Sequence, residues 1–252
     1  MDLQQYVIDI GNSRIKGAAF ANDNLVEGSV RIFERNDWSE IYREITNHQA
    51  KKLLYSTVAN VPPSILLHKL QSEGRKVYSL DHNSPLPFTN GYESPETLGK
   101  DRLAAVAGAM SLRSEGNFLV VDAGTCVTLD LLTMADETYR GGIISPGVHM
   151  RLKAMHEGTA RLPLVTPDQS KGALKLGKNT TDAVRLGGQL GVANEVAGFY
   201  AKLNAEFAPL TLILTGGDAD MIDLHLDRNS FSDYALEPHL VLLGLNKILR
   251  AC

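Results

Sequence analysis

Residues 6–13 read YVIDIGNS and residues 119–126 read LVVDAGTC, so one pattern occurs twice in the chain. Each copy is an apolar run followed by Asp, a small or apolar residue, Gly and a polar residue. The pattern predicts a buried strand that ends in Asp, after which Gly allows a sharp turn. Backbone N–H groups in such a turn can face a phosphate, while the carboxylate holds a metal ion or water. Two copies indicate two related domains facing one nucleotide, which is typical of a phosphotransferase.

The composition narrows the class of protein. The chain has 252 residues, enough for one large or two small domains, and 44% of them are hydrophobic. A net charge of −4 argues against a dedicated nucleic-acid binder, which needs a basic face. The cysteines, Cys126 and Cys252, are too few for a disulfide scaffold or a cysteine-ligated metal centre. Because no signal peptide or apolar run of ~20 residues is apparent, we expect a cytoplasmic protein with no membrane partner.

Apolar periodicity predicts alternating strands and helices in the first third of the chain. Residues 3–10 and 14–20 are expected to form a hairpin, because a tight turn separates two apolar runs. The further expected strands are 25–33, 52–58 and 77–80, and the expected helices are 37–48, with Trp38, Ile41 and Ile45 on one face, and 62–73.

Residues 81–98 interrupt this alternation, since they contain three prolines and no clear periodicity. A long ordered loop is usually functional, but a surface connector explains the middle of this one equally well. The regular pattern then resumes and predicts an α/β fold. The expected strands are 118–122, 127–132, 139–144 and 210–214, and residues 157–178 are expected to be irregular. The expected helices are 100–113, one that follows residues 145–147 and runs through 155, 181–207 and 239–249.

The first copy of the repeated pattern is a candidate phosphate site. Asn12 and Ser13 offer side-chain donors, and Lys16 on the second hairpin strand could reach a terminal phosphate. Asp9 needs a divalent cation between itself and a phosphate. Taken alone, the segment is equally compatible with an Asx-type turn between two strands.

Two later segments favour the phosphate interpretation. In the second copy, Asp122 could bind a cation and Thr125 a phosphate, although a strand end with a capped turn is the simpler alternative. Residues 215–218 read TGGD after another apolar strand, and paired glycines there would allow close approach of a ligand. Each segment alone is weak evidence for a phosphate site. The three together, in this order and at these distances along the sequence, are specific evidence for one.

This order of motifs resembles the actin, hexokinase and Hsp70 superfamily, in which duplicated ribonuclease H-like domains, each a mixed sheet with flanking helices, clamp ATP. Within it, the chain closely resembles the type III pantothenate kinases. The resemblance implies an N-terminal domain at 1–115, with the first phosphate motif and the substrate loop, and a C-terminal domain at 116–252. The matching segments are residues 9–13 with Lys16, GKDR at 99–102, DAGT at 122–125, GGIISPG at 141–147 and NTT at 179–181.

The resemblance implies transfer of the ATP γ-phosphate to the primary hydroxyl of pantothenate. The product would be 4'-phosphopantothenate, in the first step of coenzyme A biosynthesis. Asp101 is the implied base, and it would orient the hydroxyl and accept its proton late, since a carboxylate is far less basic than an alkoxide. A helix-capping carboxylate is the structural alternative for Asp101.

The resemblance also assigns the ligands. Asp122 would bind a monovalent cation (K⁺ or NH₄⁺), and Asp9 would hold Mg²⁺ with ATP. A homodimer is implied, and the small residues of helix 181–207 make it a candidate contact. The implied ATP-binding residues are Asp9, Gly11, Asn12, Ser13, Lys16 and Thr125, and the implied pantothenate-binding residues are Tyr92, Gly99, Lys100, Asp101, Arg102 and Thr181.

Two other functions fit the general fold. A related sugar kinase or polyphosphatase would share the phosphate motifs, but the short chain and the GKDR segment argue against it. A non-catalytic transcription regulator could use the same fold, but the complete catalytic set and the acidic composition argue against it.

Thr181 could also cap its helix, alone or in addition to binding a ligand.

Overall fold

The computed structural model describes residues 4–58, 61–113, 115–168 and 176–252. The chain divides into two compact units, of which the first comprises Met1–Ser114 with His239–Cys252 and the second comprises Glu115–Pro238. The domains expected from the sequence, 1–115 and 116–252, differ from these units in the C-terminal helix, which the structure groups with the first unit. A contact between two glycine-bearing helices, described below, explains the difference.

The helices and strands alternate as expected for an α/β chain. In chain order they are β1 (Gln4–Ile10), β2 (Ile15–Ala21), β3 (Asn24–Leu25), β4 (Arg31–Phe33), α1 (Trp38–Asn47), β5 (Lys52–Thr57), α2 (Ser64–Ser72), β6 (Lys76–Ser79), β7 (Thr89–Asn90), α3 (Lys100–Leu112), β8 (Asn117–Ala123), β9 (Cys126–Thr133), β10 (Thr138–Pro146), α4 (Val148–Glu157), α5 (Thr180–Phe207), β11 (Leu210–Thr215), α6 (Ala219–Asp223), β12 (Asp233–Leu236) and α7 (Leu240–Ala251).

The first unit contains a mixed sheet in the order β3-β2-β1-β5-β6, with β4 paired to β2. The predicted hairpin is confirmed, since β1 and β2 are antiparallel, while β5 is parallel to both β1 and β6. Helix α1 buries Ile41 and Ile45 completely against this sheet, and Trp38 packs at the edge of the same cluster. The apolar face expected from the sequence is therefore the face that the helix buries.

One strand expectation for the first unit was wrong. In place of a single strand over residues 25–33, the chain forms two short strands, β3 at Asn24–Leu25 and β4 at Arg31–Phe33. Gly28 takes a left-handed backbone conformation (φ +69°), and the fully buried Ser29 donates its hydroxyl to the Val26 carbonyl at 2.7 Å. This local turn breaks the extended chain.

Helices α3 and α7 approach each other closely within the first unit. A Cβ atom on Gly244 of α7 would collide with the Ala104 carbonyl of α3, and one on Gly108 of α3 would collide with the Leu240 carbonyl. The missing side chains let the two backbones meet, so α7 belongs to the first unit although it follows the second in the sequence.

The second unit repeats the arrangement of the first. Its strands follow the order β12-β11-β8-β9-β10, in which β8 and β9 are antiparallel and β11 is parallel to β8. Each motif strand, β1 or β8, therefore has an antiparallel neighbour on one side and a parallel neighbour on the other. The mixed sheets and flanking helices confirm the α/β fold expected from the duplicated motif.

Helix α5 is the longest element of the second unit. Val192, Val196 and Tyr200 on its inner face join the core formed by β8, β9 and β11. The short elements α6 and β12 were not predicted, because five and four residues are too few to show a period. Among the described residues, none of the helices combines the length and apolar character that a bilayer crossing requires.

Candidate functional site

The first motif forms the tight turn between β1 and β2. The Gly11 N–H donates to the Arg14 carbonyl at 3.0 Å, which closes the turn. Asn12 and Ser13 at its tip are exposed, and Asp9 lies just before it near the end of β1. The turn thus presents polar groups at the carboxyl end of a buried strand, as the sequence predicted.

Three polar side chains lie in a row across β2, β1 and β5. Asp9 is paired with Lys16 in the antiparallel register and with Ser56 in the parallel register. The Ser56 hydroxyl donates to Asp9 Oδ1 at 2.8 Å. Sequence reasoning identified Asp9 and Lys16 but not Ser56, because the parallel register is not written in any local motif.

The electrostatic environment of Asp9 is unusual for a carboxylate. Burial is the largest effect and raises the pKa of Asp9 from 3.8 to about 6, and the negative charge of Asp101 contributes in the same direction. The hydrogen bond from Ser56 and the positive charge of Lys16 oppose this rise. The first unit therefore brings Asp9, Asp101, Lys16 and Ser56 within electrostatic range of one another.

The GKDR segment begins α3. Gly99 occupies the N-cap position, and Asp101 lies in the first turn, where its Oδ1 accepts the Arg102 N–H at 2.9 Å. A Cβ atom on Gly99 would lie 2.5 Å from Asp101 Oδ1, so glycine leaves room for the carboxylate. Asp101 thus helps to satisfy the free N–H groups of the first turn, but it is not the N-cap residue itself.

Arg102 and Tyr92 come together in the same unit. Arg102 is only 5% exposed, and its guanidinium carbon lies 5.6 Å from the centroid of the Tyr92 ring. The Tyr92 N–H donates to the Asn90 side chain at 3.1 Å, which ties the irregular loop locally. The loop that follows β6 therefore brings an aromatic ring beside the start of α3, whose Lys100 is partly exposed.

The second motif forms the turn between β8 and β9. The Gly124 N–H donates to the Cys126 carbonyl at 2.9 Å, and the Gly147 N–H donates to the Thr125 carbonyl at 3.1 Å. A side chain on Gly147 would collide with the Gly124 carbonyl. Glycine is thus required for the GGIISPG segment to lie directly against this turn.

The TGGD segment packs against the same turn. Gly216 has a φ of +104°, and a Cβ atom there would collide with Ala123 and lie 2.5 Å from Asp122 Oδ1. The Asp218 N–H donates to the Ala123 carbonyl at 2.9 Å. The second and third motifs, which lie far apart in the sequence, therefore form one cluster within the second unit.

Thr181 lies in the first turn of α5 and is exposed. The expectation that it caps this helix was wrong. Asn179 is the N-cap, and its side-chain oxygen accepts the Asp182 N–H at 2.9 Å. The side chain of Thr181 is therefore not needed to begin the helix.

The side chains at the motifs suit cations that prefer oxygen. Asp9 offers a carboxylate next to a hydroxyl, and Asp122 offers one near the Ala123 carbonyl. In the described ranges, three or more His, Cys, Asp or Glu side chains do not gather as a metal cage. Mg²⁺ in nucleotide sites usually uses only one or two carboxylates with phosphates and water, so the residues fit it.

Solved structures with low sequence identity share the fold. A ROK family glucokinase from Streptomyces griseus, in complex with glucose and AMPPNP, matches with a TM-score of 0.55 and 12% identity over 99% of each chain. An activator of the 2-hydroxyisocaproyl-CoA dehydratase from Clostridium difficile, with bound ADPNP, matches with a TM-score of 0.55 and 11% identity over 98% of this chain and 94% of that chain. The fold is that of the actin-like ATPases and sugar kinases.

Comparison of sequences identifies the family, whereas the solved structures above show only the fold. A type III pantothenate kinase of Christiangramia forsetii is 40% identical over 249 residues, which cover 96% of each chain. The sequence profile of the type III pantothenate kinases matches residues 6–202, a range that includes all five motif segments described above. The chain therefore belongs to the type III pantothenate kinase family.

Proposed function

We propose that the chain transfers the γ-phosphate of ATP to the primary hydroxyl of pantothenate. The product is 4'-phosphopantothenate, and the reaction is the first step of coenzyme A biosynthesis. Family membership supports this reaction. The observation that carries the proposal is the placement of two carboxylates in one unit: Asp9 at the end of β1 beside Lys16 and Ser56, and Asp101 in the first turn of α3.

Asp101 is the base. In phosphoryl transfer through a loose transition state, the nucleophile needs positioning more than early deprotonation. A carboxylate in the first turn of α3 is held on a rigid element, and Gly99 leaves room beside it. Asp101 would orient the pantothenate hydroxyl and take its proton as the phosphoryl group arrives.

Asp9 would hold Mg²⁺, directly or through water, and the ion would supply positive charge against the ATP phosphates. Lys16 is the partner of Asp9 on the neighbouring strand and supplies a fixed positive charge for a terminal phosphate. Gly11, Asn12 and Ser13 form the turn whose N–H and side-chain donors receive the phosphates.

The second unit contributes Thr125 as an ATP contact and Asp122 as the ligand of a monovalent cation, K⁺ or NH₄⁺. The close packing of Gly216 against Ala123 supports this role, because it places backbone oxygen near the Asp122 carboxylate. A cation there would offset the negative charge of ATP.

Pantothenate carries a carboxylate, and Arg102 is suited to bind it through paired hydrogen bonds. The Tyr92 ring beside this guanidinium supports a shared pocket. Gly99, Lys100 and Thr181 complete the proposed substrate contacts. We also assign the protein to the cytoplasm as a homodimer, with the exposed side of α5, including Ala183, Gly187 and Gly198, as the contact.

A coupled assay that omits ATP, pantothenate, Mg²⁺ or K⁺ in turn tests the reaction directly. Asp101→Asn should lower kcat by about 10²–10⁴-fold, the usual contribution of a general base, while ATP still binds. Asp37→Asn is the matched control, because Asp37 also begins a helix of the first unit and Asn caps equally well. Greater activity on glucose or polyphosphate than on pantothenate would refute the proposal.

A further inference from the structure

Ser56 presents a hydroxyl to Asp9 from the interior of the first unit. Its side chain is completely buried on β5, and Oγ donates to Asp9 Oδ1 at 2.8 Å. The buried residues that precede it on this strand, Leu53 and Leu54, are apolar. A buried hydroxyl costs free energy unless it is hydrogen-bonded, so the Asp9 carboxylate is what makes a polar side chain tolerable at this position.

The sheet register fixes this contact. The parallel pairing of β1 with β5 sets Ser56 beside Asp9, and the antiparallel pairing of β1 with β2 sets Lys16 on the other side. An ionised carboxylate has two acceptor oxygens. A hydroxyl held on Oδ1 restricts rotation of the Asp9 side chain and leaves Oδ2 to bind a cation or its water.

We infer that Ser56 is a positioning residue that fixes the Asp9 carboxylate for the divalent cation accompanying ATP. This inference rests on the proposed function, in which Asp9 holds that cation. Ser56 acts through the carboxylate and is not a catalytic residue. Partners that hydrogen-bond to ligating side chains orient them, and their loss commonly weakens metal affinity or activity by about 10–100-fold.

The test measures binding rather than turnover. Calorimetry gives the Kd of a non-hydrolysable ATP analogue for the full chain in Mg²⁺ and in EDTA, and the ratio of these two values isolates the metal-dependent part. The gain from Mg²⁺ is the factor by which Mg²⁺ tightens binding of the analogue. Ser56→Ala should reduce this gain by about 10-fold, the lower end of the range for such partners. Ser56→Thr keeps the hydroxyl and should restore most of the gain, whereas Ser56→Cys, with a weak donor, should resemble Ser56→Ala.

Ser29→Ala is the matched control. Ser29 is equally buried in the same unit, but its hydroxyl bonds to the Val26 carbonyl at 2.7 Å instead of to a site residue. This variant should lose stability without a change in the Kd ratio. A wild-type ratio in both Ser56→Ala and Ser56→Cys would overturn the inference.

The Asp9→Asn variant separates the inference from the proposed function. It should abolish the gain from Mg²⁺, and retention of the full gain would also overturn the role of Ser56, because Asp9 would then not hold the cation. Failure of the proposed function would be visible elsewhere, as wild-type protein that does not phosphorylate pantothenate. In that case a Ser56-dependent ratio would still support the positioning role.

Discussion

Replacing Asp9 by Asn should stabilise the metal-free protein at neutral pH. The pKa of Asp9 is raised from 3.8 to about 6, so its ionised form is disfavoured in the folded chain. A rise of about 2 units corresponds to about 3 kcal/mol, and partial exposure of Asp9 to solvent reduces this to about 1–3 kcal/mol. Asn carries no charge, and its side-chain oxygen can still accept the Ser56 hydroxyl.

The stability difference between Asp9→Asn and wild type should depend on pH. Because the folded pKa lies above the unfolded one, the folded state binds more protons between about pH 4 and pH 6. The contribution of Asp9 to stability is thus complete below about pH 4 and is lost as the pH rises through about 6. The advantage of Asp9→Asn should be near zero at pH 4 and largest above pH 7.

Urea unfolding followed by circular dichroism, without metal or nucleotide, measures the difference at pH 4 and pH 7.5. Asp223→Asn is a control of opposite sign. Burial raises the pKa of Asp223, but hydrogen bonds from Arg228 and Tyr234 outweigh it and hold this pKa below its usual value. That variant should be destabilised at pH 7.5. Equal stability of Asp9→Asn and wild type at pH 7.5, or an advantage that grows toward pH 4, would refute the reasoning.

Two further predictions concern packing and hydrogen bonding. Gly244→Ala should lower stability by about 1–3 kcal/mol in a thermal melt, because the new methyl group would collide with the Ala104 carbonyl. Gln71→Ala, at an exposed position of α2, should leave stability within about 0.5 kcal/mol of wild type, and a similar loss in both variants would contradict the packing argument. Tyr200→Phe should cost about 1–3 kcal/mol in urea unfolding, because the buried hydroxyl donates to the Leu210 carbonyl at 2.8 Å; an unchanged midpoint would argue against that bond.

Much of the fold was predictable because its signals are local. The apolar face of α1 and the turn between β1 and β2 follow from side-chain periodicity and from a glycine near the strand end. The long helix α5 was predicted to within one residue at its start. The strand expected at 25–33 failed, since Gly28 takes a left-handed conformation that the apolar residues around it, Val26 and Val30, do not reveal.

The candidate site was predictable only in part. The sequence identified Asp9, Lys16 and Asp101 as separate members of motifs, and their roles stay predictions until the variants are measured. It did not identify Ser56, because a serine within a strand has no distinguishing local pattern. Its contact with Asp9 depends on the register between two strands that lie more than forty residues apart along the chain.

The sequence by itself determined the duplicated strand-and-turn motif and, through it, the family, because these depend on neighbouring residues. The tertiary structure alone decided that α7 packs on α3 in the first unit, since that requires two backbones to meet where Gly108 and Gly244 lack side chains. It alone also placed Ser56 beside Asp9, because strand register is set by the packing of the whole sheet.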